Sequence, residues 1–157
     1  MEENKIAYRR NILVGSIIAA ALLIIYNQLT TSYGQLSGGL SFLLTVLFFM
    51  GPIIQFSRQY IKSAREPVFN YGKAFGFGVL ISLVASMLFG IYVYIFYSLI
   101  SPEALQDIIV QMEENMLQSR QDPEMIEQAS ESMKKFMTPA VMAVGSVIYY
   151  FLLGLVV

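Results

Sequence analysis

Four apolar stretches, none with an Asp, Glu, Lys or Arg in its core, constrain this chain more than any other feature. They run over about 12–29, 36–56, 74–100 and 139–157. Each is near the roughly 20 residues that carry a helix across about 30 Å of hydrocarbon. Composition agrees: 56% of the 157 residues are hydrophobic and 13% are charged, against roughly a quarter charged in an ordinary soluble domain. So little polar surface cannot cover so much apolar surface in water. The length leaves room for about one domain, spanning 1–157.

The first stretch follows the basic cluster Lys5, Arg9 and Arg10, which is also how a signal peptide opens. Its small residues Ala19, Ala20 and Ala21 lie mid-run, and no small-x-small cleavage site follows, so a retained helix is expected. The second contains Gly51-Pro52. Proline removes a backbone donor and crowds the preceding turn, so a kink or a helix end is expected there. The third is longer than the bilayer requires and is expected to tilt or project. The fourth has no Lys or Arg at its far end. Either the chain stops at the interface or the sequence lacks a short tail.

A polar stretch, 101–138, separates the third and fourth spans. Ser101-Pro102-Glu103, Asp122-Pro123-Glu124 and Thr138-Pro139 each place a capping side chain before a proline at the first helical position. A proline there sacrifices no hydrogen bond, and the cap oxygen satisfies an orphan amide. Helices are therefore predicted over 102–120 and 123–137. Leu105, Ile109, Met112 and Met116 form one stripe, and Ile126, Ala129, Met133 and Phe136 another, at the three- and four-residue steps of amphipathic helices. The expected fold is all-α: a polytopic membrane protein with four transmembrane helices and an extracytoplasmic amphipathic helical hairpin between the third and fourth.

Orientation follows from the basic residues, which favour the cytoplasmic side. With the N-terminus inside, seven of the ten fall on inner segments: Lys5, Arg9, Arg10, Arg58, Lys62, Arg65 and Lys73. Arg120, Lys134 and Lys135 lie outside, diluted among eight of the eleven acidic residues. Both termini are expected in the cytoplasm. Tyr26, Tyr33, Tyr92, Tyr94 and Tyr97 mark the outer headgroup level, and Tyr60, Phe69 and Tyr71 the inner one. Tyr149 and Tyr150 fall mid-span, so their hydroxyls are expected to face other helices.

Few chemistry-bearing patterns stand out. The chain has no cysteine and no histidine, which removes thiolate chemistry and the commonest general base and metal ligand. An enzyme is not expected, nor a cofactor. Ala74, Gly78, Ser82, Ser86 and Gly90 form a four-residue ladder of small side chains, which in lipid permits close backbone approach. It serves either packing within the chain, with Gly15 and Ala19 as the matching groove, or a homo-oligomer interface. Met112, Met116, Met125, Met133 and Met137 gather in the hairpin. Thioethers fill cores, bind varied partners or hold Cu(I), but no histidine supports the metal reading. Glu124, Glu127 and Glu131 share a helix face, while Glu113 and Glu114 diverge; a solvated polar face explains both sets, and no loop resembles a calcium site. The basic segment 58–73 suits anionic headgroups rather than nucleic acid. Span cores free of ionisable residues argue against a coupled transporter.

Three stretches carry a resemblance to a known family. They are Phe69-Asn70-Tyr71-Gly72-Lys73-Ala74-Phe75 before the third span, Ile100-Ser101-Pro102-Glu103 with Gln111-Met112-Glu113 in the hairpin, and Lys134-Lys135-Phe136-Met137-Thr138-Pro139 with Met142-Ala143-Val144-Gly145 at the fourth. The chain resembles, over nearly its whole length, the uncharacterised bacterial membrane family called domain of unknown function 4199. Members usually continue into a basic tail, which this sequence does not show. The resemblance implies this topology, in a bacterial inner membrane, and brings no catalytic residue with it. The expected role is that of a non-enzymatic accessory subunit touching a membrane or envelope partner, or lipid, through the hairpin. The alternative is a small transporter or channel active as a homo-oligomer.

Overall fold

The structure is a computed structural model that describes residues 2–33, 38–63, 71–118 and 123–156. The described residues form six α-helices and one π-helical turn, with no strand among them. In chain order they are α1 (Glu2–Tyr33), α2 (Gly38–Ser63), α3 (Tyr71–Ile95) with a π turn at Phe96–Ile100, α4 (Glu103–Gln118), α5 (Pro123–Phe136) and α6 (Pro139–Leu155).

Three segments are long and apolar enough to cross a membrane: Tyr8–Thr30, Leu40–Tyr60 and Gly72–Ile100. They mark a membrane protein. The 17 residues of α6 extend about 25 Å at 1.5 Å per residue. This helix joins the three only when counted with Gln128–Phe136, from which it is bent by 82° across Met137 and Thr138.

Of the two outcomes expected at Gly51-Pro52, a kink or a helix end, the helix end does not occur, because α2 runs on through a buried Pro52. Proline takes one donor from the ladder. In an apolar solvent the neighbouring amides have no alternative partner, so continuing the helix costs less than ending it.

The chain divides into two compact units, Met1–Phe89 with Val147–Val157, and Gly90–Ser146. In the first, side-chain pairings reveal the helix directions. The Tyr26 hydroxyl donates to the Ser41 carbonyl at 3.0 Å and meets the Ser41 hydroxyl at 2.6 Å. At the other end the Tyr8 and Tyr60 rings lie 5.2 Å apart, so α1 and α2 are antiparallel. Tyr60 stacks on Phe77 at 4.6 Å, and the Ser16 hydroxyl reaches the Ile81 carbonyl at 3.2 Å. Thus α3 runs with α1 and against α2. Tyr150 of α6 packs on Phe89 at 4.9 Å and Phe49 at 5.4 Å, and Gly154 lies against Ser82, so α6 opposes α3.

This interior is built from small side chains: Ser16, Ala19 and Ala20 of α1, and Ser82, Ala85 and Ser86 of α3 are all buried. Bulky Leu13, Ile17 and Ile25, and Leu43 and Leu47, stand exposed. Helices in lipid gain little by hiding large apolar groups and much by close approach, which accounts for the distribution. Three interior hydroxyls return to their own helices: Ser82 donates to the Gly78 carbonyl, Ser86 to Leu83 and Thr45 to Ser41, each at 2.9 Å. Tyr26, read as a headgroup-level residue, is buried, because Ser41 gives its hydroxyl a partner inside. Of the two mid-span tyrosines, Tyr150 turns inward while Tyr149 is half exposed.

In the second unit the third helix ends in the π turn, closed by the Ser101 amide donating to the Phe96 carbonyl at 2.8 Å. The Ser101 carbonyl accepts the Ala104 amide at 3.2 Å, and α4 begins at Glu103. This helix packs on the π turn and on α5. Among the unit's described side chains, Phe96, Leu105, Ile109 and Ile126 are buried, beside Val93 and Ser130. Two of the proline start signals lead directly into helices, α5 at Pro123 and α6 at Pro139. Thr138 caps α6, its hydroxyl accepting the Val141 amide at 3.3 Å and its carbonyl the Met142 amide at 3.0 Å. Asp122, and 119–120 of the predicted first hairpin helix, lie outside the described residues.

Candidate functional site

The small-residue ladder and the methionine-bearing hairpin are the two features to which sequence logic assigns a role. Along the ladder, Ala74 is half-buried and Gly78, Ser82, Ser86 and Gly90 are buried. A methyl group on Gly78 would sit 3.5 Å from Ile53 and 3.7 Å from the Ser57 hydroxyl, both on α2. Ser82 meets Gly154 of α6 so closely that a methyl there would collide with its Cβ and hydroxyl. Gly15, expected with Ala19 to supply the matching groove, lies against the Phe56 ring of α2 and Ile81 of α3; a methyl group on it would be 3.1 Å from the first and 3.2 Å from the second. Ala19 is fully buried. Each ladder contact named here is therefore with a helix of the same chain.

In the hairpin, Leu105 and Ile109 of α4 and Ile126 of α5 are buried, as their stripes predict. The methionines fringe this core. Met112 is 38% exposed; Met116, Met133 and Met137 are half-buried; the Met125 side chain lies outside the described residues. Phe136, assigned to the same stripe as Ile126, is instead 72% exposed, because α5 ends there and the chain turns away. Val110 and Leu117 are also exposed on α4.

A polar clasp joins the two helices at the level of Glu113. Its carboxylate accepts a hydrogen bond from the Ser130 hydroxyl and lies 3.5 Å from the Lys134 ammonium. The Ser130 hydroxyl first, and the Lys134 charge after it, hold the Glu113 carboxyl below the ordinary glutamate value. Ser130 and Lys134 are four apart on α5 and so share a face. That spacing is the only signal by which the sequence could have shown the clasp. Glu114 and Glu131 are exposed, and the side chains of Glu124 and Glu127 lie outside the described residues. Among the described residues no three acidic groups converge on a metal-sized site. The basic segment after Ser63, with Arg65 and Phe69, also lies outside them.

In comparison with known proteins, residues 12–157 match the family described as protein of unknown function (DUF4199). No curated protein and no solved structure matches the chain.

Proposed function

The chain belongs to the DUF4199 family, and from that premise we propose that it is a non-enzymatic accessory subunit of the cytoplasmic membrane whose α4–α5 hairpin contacts a partner protein outside the cytoplasm. One observation carries this reading. The hairpin is a clasped pair of polar helices inserted between apolar ones, with Val110, Met112 and Leu117 left exposed on its first helix. Val110 and Leu117, seven residues apart, share one face of α4, and adaptable Met112 edges the packed stripe on another; apolar side chains left uncovered in this way suit contact with a protein.

Supporting the topology, α1, α2, α3 and α6 alternate in direction. Taken as four spans, they place both termini on one side. The basic residues Arg9, Arg10 and Arg58 at that end favour the cytoplasm. The decisive experiment is photocrosslinking in intact cells from a photoreactive residue at Met112, followed by mass spectrometry. A discrete adduct with another membrane or envelope protein is the expected result. Adducts only with further copies of this chain would overturn the accessory role and favour an autonomous oligomer, for which solute flux is the assay.

A further inference from the structure

Within the unit Gly90–Ser146, the two most exposed bulky apolar side chains among the described residues, Leu99 and Phe136, stand one at each root of the hairpin, while Leu117, 60% exposed, stands near the C-terminal end of α4. Leu99 is 78% and Ile100 59% exposed where the third apolar segment ends, and Phe136 is 72% exposed three residues before α6 begins. The π turn presents the first two, and the 82° bend across Met137 and Thr138 presents the third.

The bend also restricts what α5 can be. A spanning helix tilts on average about 20° from the bilayer normal. If α6 crosses in that way, Gln128–Phe136, at 82° to it, runs close to the membrane plane. Gln128, Glu131, Ser132 and Lys135 are exposed along α5, and burying such groups in hydrocarbon is costly. The segment is therefore suited to the headgroup layer and not to a broken span. Lys135, next to Phe136, is exposed and suited to lipid phosphate.

We propose that the hairpin lies on the membrane surface, held at both roots by Leu99, Ile100 and Phe136 inserted at the boundary between headgroups and acyl chains, with the lipid bilayer as their partner. Amphipathic helices in this position bury their apolar side chains about 5–10 Å into that boundary. The inference rests on the reading that α6 crosses the membrane, but not on which side the hairpin occupies.

The chain contains no tryptophan, so Phe136→Trp and, separately, Leu99→Trp each introduce a sole fluorophore. Gln111→Trp, on an exposed position of α4, is the reference. The full-length variants are placed in phosphatidylcholine–phosphatidylglycerol vesicles, either plain or brominated near the top or near the end of the acyl chains. The expected result is emission blue-shifted from the Gln111→Trp reference for both reporters, with greater intensity loss from shallow than from deep bromine. Emission and quenching equal to the reference would overturn the proposal, as would stronger quenching by deep bromine. Single cysteines at Gln59 and Val156, probed with an impermeant maleimide, separate the two possible failures. Opposite-side labelling means that α6 does not cross. Same-side labelling with unquenched tryptophans sinks the surface anchoring alone.

Discussion

At Gly154 the lack of a side chain is what lets α6 approach α3, since a methyl group would occupy the place of the Ser82 Cβ and hydroxyl. Gly154→Ala is expected to lower stability by about 1–3 kcal/mol, the usual range for overpacking. Unfolding in mixed detergent micelles would measure it. Ser82→Gly in the same chain should restore part of the loss; no restoration would show that the strain lies elsewhere. Tyr26 offers a gentler test. A double-mutant cycle of Tyr26→Phe with Ser41→Ala should report a coupling of about 0.6 kcal/mol, typical of interhelical hydrogen bonds in membranes. Zero coupling would mean that water or lipid replaces the bond at no cost. Both residues show how far single positions can be read in advance. The small-residue ladder is visible because its spacing of four is local. Its counterpart at Gly154, and the inward turn of Tyr26, depend on helix register across the bundle. A tyrosine near a span end looks the same in sequence whether it meets headgroups or Ser41.

Helix elements follow the same division between local and non-local information. The starts of α5 at Pro123 and α6 at Pro139 were legible because capping side chains and prolines act within one turn. At Pro52 the sequence leaves a kink and a helix end equally open, and the choice of a continuous α2 depends on the solvent, since water can satisfy freed amides and lipid does not. The π turn at Phe96–Ile100 has no local signature in this sequence, and the clasp of Glu113 with Ser130 and Lys134 needs two helices in register. That clasp makes the hairpin responsive to pH. The folded carboxyl titrates below its ordinary value, so the unfolded or separated state binds the proton first as pH falls. The clasp's contribution is full at neutral pH. It is lost as pH drops through the ordinary glutamate value and then the folded one. Protection of α5 amides, taken relative to the intrinsic exchange rate at each pH, should therefore fall in acid, and Glu113→Gln should remove that fall. An unchanged acid response in Glu113→Gln would assign it to another group.

At the scale of the whole molecule, the alternating directions of α1, α2, α3 and α6 lead to an expected labelling pattern. The chain's lack of cysteine makes that pattern clean to read. In intact cells an impermeant maleimide should reach Gln118→Cys and leave Gln59→Cys and Val156→Cys unmodified until the membrane is opened. Labelling of Gln59→Cys from outside would reverse the assigned orientation. The contact between Ser82 and Gly154 has a further consequence, one of timing. During synthesis the place on α3 beside Ser82 stands vacant while the rest of α3, the hairpin and most of α6 are made. At about 5–20 residues per second the wait is on the order of 4–14 s. For that interval the nascent protein is a three-helix intermediate with a small-residue groove open to whatever helix drifts past. An insertion chaperone, or a slow ribosome, acting in that window would decide whether the groove closes on its own α6 or on a neighbour.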